Sequence, residues 1–90
     1  MSPTDDYEAR ERMLNRFRRL LTDLQRGRLS RNTFEPWEVD LLLDFDACQL
    51  EPRRREDTFR QYQRAVERQL ESGPGPPMKF SQFLIVRARG

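Results

Sequence analysis

Two aspartates, Asp44 and Asp46, follow an apolar run in the segment VDLLLDFDACQL, which spans residues 39–50. An apolar β-strand that ends in Asp-x-Asp can deliver a carboxylate nucleophile and, two residues later, a carboxylate that serves as general acid and base. The same residues can instead lie on a buried helix, where carboxylates have structural roles. The remainder of the chain decides between these two interpretations.

About eight residues around Asp44-Phe45-Asp46 resemble the motif of the haloacid-dehalogenase phosphatases. The resemblance implies a parallel sheet wrapped by helices, in a chain roughly two to three times longer than this one. It also implies a distant lysine and an acidic pair that holds magnesium, yet the chain has one lysine, Lys79, near its end. Cys48 stands where that motif has Thr or Val. We therefore expect a helix here, with no catalytic residues.

Other catalytic and metal sites lack the residues that they need. The 90-residue chain has no histidine and one cysteine, Cys48, so tetrahedral zinc ligation and a thiol activated by imidazole are both excluded. Cys48 falls on an apolar stripe, which indicates a core residue. The segment GPGPP lacks the lysine and the helix start of a phosphate-binding loop. We expect no cofactor, no metal and no enzymatic activity.

The spacing of the apolar residues predicts an all-α fold, a small bundle of three main helices plus a short C-terminal helix. We expect one helical domain over residues 1–90, with helices at about 5–26, 36–48, 54–72 and 81–87 and a Gly-Pro turn at 73–77. Ser81 suits the start of the last helix, whereas the run FLIV that follows is β-prone. A strand is therefore the alternative for the C-terminal segment.

The second predicted helix has apolar residues on two sides. Trp37, Leu41 and Phe45 line one face, and Val39 and Leu43 point nearly the opposite way. This pattern predicts a helix that is buried between the others. The residues that we expect to form one core cluster are Phe17, Leu21, Leu41, Phe45, Phe59, Tyr62 and Val66.

Charge is distributed unevenly along the chain, although its net value is only +2. Residues 9–31 carry +6 and residues 32–51 carry −6. An acidic middle helix between basic neighbours favours arginine–carboxylate pairs along the seams of the bundle. Each exposed pair stabilises the fold by at most about 1 kcal/mol.

Arginine accounts for 16 of the 17 basic residues, and arginine binds carboxylates and phosphates in a bidentate manner. A row on the third helix could follow the phosphates of DNA or RNA. Asp57 and Glu71 share that face, which disfavours entry into a groove of nucleic acid. A DNA- or RNA-binding regulator is therefore the alternative function, and its candidate residues are Arg53, Arg54, Arg55, Arg60, Arg64 and Arg68.

The C-terminal segment has more apolar residues than one face of a short helix can bury. Phe80 and Phe83 fall on one side, while Ile85 and Val86 point away. We expect Ile85 and Val86, together with Phe34, to contact a protein partner or a second copy of the chain. The predicted function is a non-enzymatic protein–protein interaction module, a small adaptor or regulator.

The single cysteine and the lack of long apolar runs indicate the cellular compartment of the protein. A lone cysteine fits a reducing compartment, no apolar leader follows Met1, and no apolar run approaches the roughly 18 residues of a membrane span. We expect a cytoplasmic protein that does not bind membranes.

Overall fold

The structure, a computed structural model, describes residues 3–29, 32–73 and 75–89. These residues form four α-helices and no β-strand: α1 (Pro3–Arg26), α2 (Pro36–Cys48), α3 (Pro52–Ser72) and α4 (Phe80–Arg89). The all-α prediction is confirmed, and the C-terminal segment is a helix. α1, α3 and α4 begin one or two residues earlier than predicted, and α4 ends two residues later.

Local backbone chemistry sets the ends of the first three helices. α1 ends because Gly27 takes a left-handed φ of 72°, which lets Arg28 N donate to the Asp23 carbonyl at 3.0 Å. α2 ends at Gln49, a non-glycine residue with a left-handed φ of 49°. Pro52 then begins α3, since the first helical position needs no backbone N–H. α3 therefore starts two residues before the predicted position 54.

The helices pack as two pairs, α1 along α3 and α2 along α4. α1 and α3 run antiparallel, because Arg10 near the start of α1 donates to the carbonyls of Leu70 and Glu71, at 3.4 and 3.3 Å, at the end of α3. The ring of Phe17 meets Tyr62 edge-on at 5.2 Å between the same helices. Arg10 also places a cation at the negative end of the α3 dipole.

Aromatic rings join the two helix pairs into one core. The Phe45 ring lies 4.9 Å from Phe59 and 5.3 Å from Phe80, and Tyr62 lies 5.1 Å from Phe80. The predicted cluster is confirmed, although Phe45 is half-buried rather than buried. The buried core consists of Phe17, Leu20, Leu21, Leu41, Phe59, Tyr62, Val66, Leu70, Phe80 and Phe83.

The prediction that α2 is buried on two sides is wrong. Val39 is 41% exposed and Leu43 is 66% exposed. The Cα atoms extend over 43 × 36 × 19 Å, and neighbouring helix axes are about 8–10 Å apart, so the thin dimension holds no more than two layers. The described residues therefore provide no third layer that could cover the outer side of α2.

Side chains of α3 fix the connection that leads to α4. The Gln69 amide donates to the Pro76 carbonyl at 2.8 Å and accepts from Met78 N at 2.7 Å. The Tyr62 hydroxyl donates to the Met78 carbonyl at 2.5 Å. Gly75 has a φ of 128°, which favours glycine. Of the predicted turn at 73–77, Pro74 lies outside the described residues.

Candidate interaction surfaces

Asp44 and Asp46 have different surroundings. Asp44 accepts hydrogen bonds from Ser81 N at 3.0 Å and from the Ser81 hydroxyl at 2.6 Å, so it caps the start of α4. Asp46 is exposed. Residues two positions apart on a helix are separated by about 200°, so Asp44 and Asp46 point in nearly opposite directions. Within the described ranges, no group of Asp, Glu, Cys or His side chains could hold a metal ion.

Cys48 has the environment of a structural thiol. Its side chain is half-buried, and burial followed by the charge of Asp44 raises the pKa of the thiol. Burial and the same carboxylate also raise the pKa of Tyr62. A raised pKa reduces the thiolate fraction that nucleophilic chemistry requires.

Two arginine–carboxylate pairs connect α1 to its neighbours. Glu38 of α2 is completely buried and accepts from Arg16 Nε at 3.1 Å and from Glu35 N at 3.0 Å. The hydrogen bond to Glu38 raises the pKa of Arg16. Glu67 of α3 accepts from Arg18 Nη2 at 2.8 Å, and this hydrogen bond lowers the pKa of the Glu67 carboxyl. The charge pattern of the sequence predicted arginine–carboxylate pairs between helices, but it did not predict that Glu38 is buried.

α4 presents different residues on its two sides. Phe80 and Phe83 are buried, whereas Ile85 is 54% exposed and Val86 is 65% exposed. Phe34, the third predicted contact residue, is half-buried and packs against the core. Its side chain therefore contributes to the fold, while Ile85 and Val86 remain available at the surface.

The exposed apolar residues of α2 and α4 lie on two helices that pack against each other. Val39 and Leu43 are four residues apart and share one face of α2. The hydrogen bonds from Ser81 to Asp44 hold the two helices side by side next to Leu43. Ile85 lies one turn beyond Ser81 on the same face of α4. We refer to Val39, Leu43, Ile85 and Val86 as the α2–α4 patch.

Sequence reasoning missed half of this patch. The apolar pattern predicts that Val39 and Leu43 are buried, but the part of the chain that the structure describes has no further helix that covers them. The signal in the sequence for their exposure was their position on the side of the helix opposite Trp37 and Leu41. In a chain with two layers of helices, only one of two opposite faces can be buried.

The predicted arginine row remains on the surface of α3, with differences between its members. Arg53, Arg54, Arg64 and Arg68 are exposed, and Arg60 contacts Glu56 at 3.5 Å. Arg55 is half-buried, and its Nε is buried without a hydrogen-bond partner. Arg55 is thus less able than the others to reach a phosphate. The row is interrupted by carboxylates, one of which, Glu67, is engaged by Arg18.

A groove of about 560 Å³ separates the first turns of α3 from the last turns of α4. Its walls include the exposed side chains of Arg53, Arg54 and Arg87, and the acid among its lining residues is Asp57. We call it the α3–α4 groove; its apolar lining residues are Leu50, Leu84 and Ala88.

A second cavity, of about 610 Å³, lies between α1 and the start of α2. Arg12, Arg16 and Arg19 line it together with Trp37. Arg16 donates to the Glu38 carboxylate, and the Trp37 indole N–H donates to Glu35 at 2.9 Å. These bonds within the protein occupy groups that a ligand would need.

Comparison of the chain with known protein families, with characterised proteins and with solved structures found no match. No helix in the described part of the chain has the length and apolar character that crossing a membrane requires. The surfaces themselves are therefore the basis for a functional proposal.

Proposed function

We propose that this chain is a non-enzymatic protein-binding module, and that the α2–α4 patch binds a second copy of the chain. The observation that carries the proposal is the exposure of four apolar side chains on two adjoining helices of a small domain. Contiguous exposed apolar surface marks interaction sites in soluble proteins. The proposal includes a cytoplasmic location, which a single, half-buried cysteine supports.

The charges beside the patch favour a second copy as the partner. On α2, the exposed Asp40 and Asp46 are acidic, whereas the last turn of α4 carries Arg87 and Arg89. A two-fold axis can set α2 against α2 of the other copy or against its α4. The first arrangement brings acids together. The second brings acids opposite arginines, and it is the arrangement that we propose.

Light scattering at increasing protein concentration tests self-association. The wild-type mass should rise from 10.9 kDa towards twice that value. A Leu43→Glu, Ile85→Glu double variant should remain a monomer, because both substitutions place carboxylates in the apolar contact. Leu29→Glu, at a residue that is 46% exposed and outside the patch, is the matched control and should associate like the wild type. A wild type that is monomeric at every concentration would overturn the proposal.

Charge exchange tests the arrangement of the two copies. One variant carries Asp40→Lys and Asp46→Lys, and the other carries Arg87→Glu and Arg89→Glu. Each should fail to associate alone, because like charges then face each other between α2 and α4. Mixing the two variants should restore a dimer. If each variant associates as strongly as the wild type, α2 does not face α4 of the other copy.

The alternative is a DNA- or RNA-binding regulator, which the exposure of Arg53, Arg54, Arg64 and Arg68 supports. Binding driven by about six phosphate contacts weakens on the order of a thousandfold between 50 and 200 mM salt. We expect little binding even at 50 mM salt, because Asp57 and Glu71 are exposed on the same helix. A duplex that binds at 50 mM salt and is released on this scale by 200 mM would favour the alternative.

A further inference from the structure

The α3–α4 groove combines basic walls with apolar lining. Arg53 and Arg54 come from the first turn of α3, and Arg87 comes from the last turn of α4. Leu50, Leu84 and Ala88 provide the apolar part of the lining. We propose that this groove binds an acidic peptide segment of a partner protein, with carboxylates on the three arginines and an apolar side chain against Leu84.

In the unassociated chain, the three guanidinium groups of the groove are free to bind an external anion; in the proposed dimer, Arg87 faces α2 of the other copy, so the peptide and the second copy compete for it. Among the described residues, the ion pairs of the fold use other arginines, namely Arg16, Arg18 and Arg60. With Asp57 as the acid of the lining, the groove keeps an excess of positive charge. Arginine favours planar, bidentate contact with carboxylates, so the guanidinium groups of the groove are suited to bind acidic side chains.

The shape of the groove suits a peptide better than a small metabolite. Its volume lies within the range of small-molecule clefts, about 300–1,000 Å³, so the openness of its walls decides between the two kinds of ligand. Arg53, Arg54, Gln61 and Arg87 are all exposed, so the groove is open along its walls. An open groove between two helices can accept an extended segment, whereas a metabolite needs a more enclosed site.

Two features favour an acidic peptide over nucleic acid. Asp57 lies among the arginines, and a continuous phosphate backbone would meet its carboxylate. A peptide can place a neutral side chain at that position and its acids on either side. The apolar lining at Leu84 and Ala88 also has no counterpart in a phosphate backbone but can bury a leucine.

Fluorescence anisotropy with a labelled peptide of alternating glutamate and leucine tests the proposal. The protein carries Leu43→Gln and Ile85→Gln, which remove apolar contact from the α2–α4 patch, so that self-association does not affect the result. We expect the peptide to bind, and an Arg53→Gln, Arg54→Gln, Arg87→Gln variant to bind about tenfold more weakly, since each exposed contact contributes a few-fold. Replacing the leucines of the peptide with serine should also weaken binding.

The matched control is an Arg60→Gln, Arg64→Gln, Arg68→Gln variant, which loses the same charge from α3 outside the groove. It should bind the peptide like the parent protein. Equal losses for both triple variants would mean that net charge alone attracts the peptide, and would overturn the proposal. Stronger binding of a labelled oligothymidine than of the peptide would overturn it too, in favour of nucleic acid. No binding of the peptide by the parent protein would reject the groove while leaving the α2–α4 patch as a separate question.

Discussion

At the scale of single residues, Glu38 and Arg16 form an ion pair between α2 and α1. The carboxylate of Glu38 is completely buried, whereas the Arg16 side chain is 34% exposed. The two partners therefore differ in their access to water. A buried ion without its counter-ion is far more costly than an ion that can turn towards solvent.

This difference predicts unequal effects of removing each partner. Arg16→Met removes a cation that donates to a buried carboxylate and should lower the free energy of unfolding by about 3 kcal/mol. Glu38→Gln keeps an oxygen that can accept from Glu35 N and leaves a guanidinium near water, so it should cost about 1 kcal/mol. Urea denaturation at neutral pH measures both. Equal losses would show that Arg16 cannot reach solvent in the Gln variant.

At the scale of elements, the start of α4 depends on a residue of another helix. Asp44 of α2 accepts from both the backbone and the side chain of Ser81. The Gln82 side chain adds a local bond by accepting from Lys79 N at 3.1 Å. Asp44 thus satisfies an orphan donor of α4 and joins the two helices at once.

Asp44→Ala should therefore loosen α4 specifically. We expect a loss of about 1–2 kcal/mol in the free energy of unfolding, as for the removal of a helix cap. Amide exchange should accelerate along α4 more than along α1 or α3. Asp46→Ala, at the exposed neighbouring acid, is the control and should change neither quantity measurably. Uniform acceleration in all four helices would mean that α4 does not open separately.

The elements were more predictable from the sequence than their contacts. Apolar periodicity identified the first three helices, whereas the C-terminal helix was predicted from Ser81 with a strand as its alternative. The side of α4 with Ile85 and Val86 followed from the angle between residues. The role of Asp44 was not predictable, because its partner lies 37 residues away. The exposure of Val39 and Leu43 was also missed, since periodicity identifies apolar faces but not the number of layers available to cover them. The groove arises from two segments that are distant in sequence.

At the scale of the whole molecule, the core contains a cluster of aromatic rings to which all four helices contribute. Phe80 is 1% exposed and contacts Phe45, Phe59 and Tyr62 at ring separations of 5.3, 6.0 and 5.1 Å. It thus connects α4 to both α2 and α3. The fold depends on this ring more than on any residue of the α2–α4 patch.

Phe80→Ala should lower the free energy of unfolding by about 3–5 kcal/mol, a large part of the stability of so small a domain. Val86→Ala, on the same helix at an exposed position, should change it by less than about 0.5 kcal/mol. Thermal unfolding followed by circular dichroism measures the two variants side by side. Similar melting temperatures for both would place Phe80 outside the core.

Because α4 has a buried side and an exposed side, binding of a partner to the exposed side affects whether this helix stays attached to the core. Phe80 and Phe83 attach this helix to the core, and Ile85 and Val86 lie on its outer surface. A partner that binds Ile85 while α4 is packed beside α2 binds the attached form of the helix and not the detached form. By mass action, such a partner at a hundred times its dissociation constant stabilises that form by about 2.7 kcal/mol. Concentration of the partner would therefore set how often the C-terminal helix detaches, and with it how long the chain survives proteolysis.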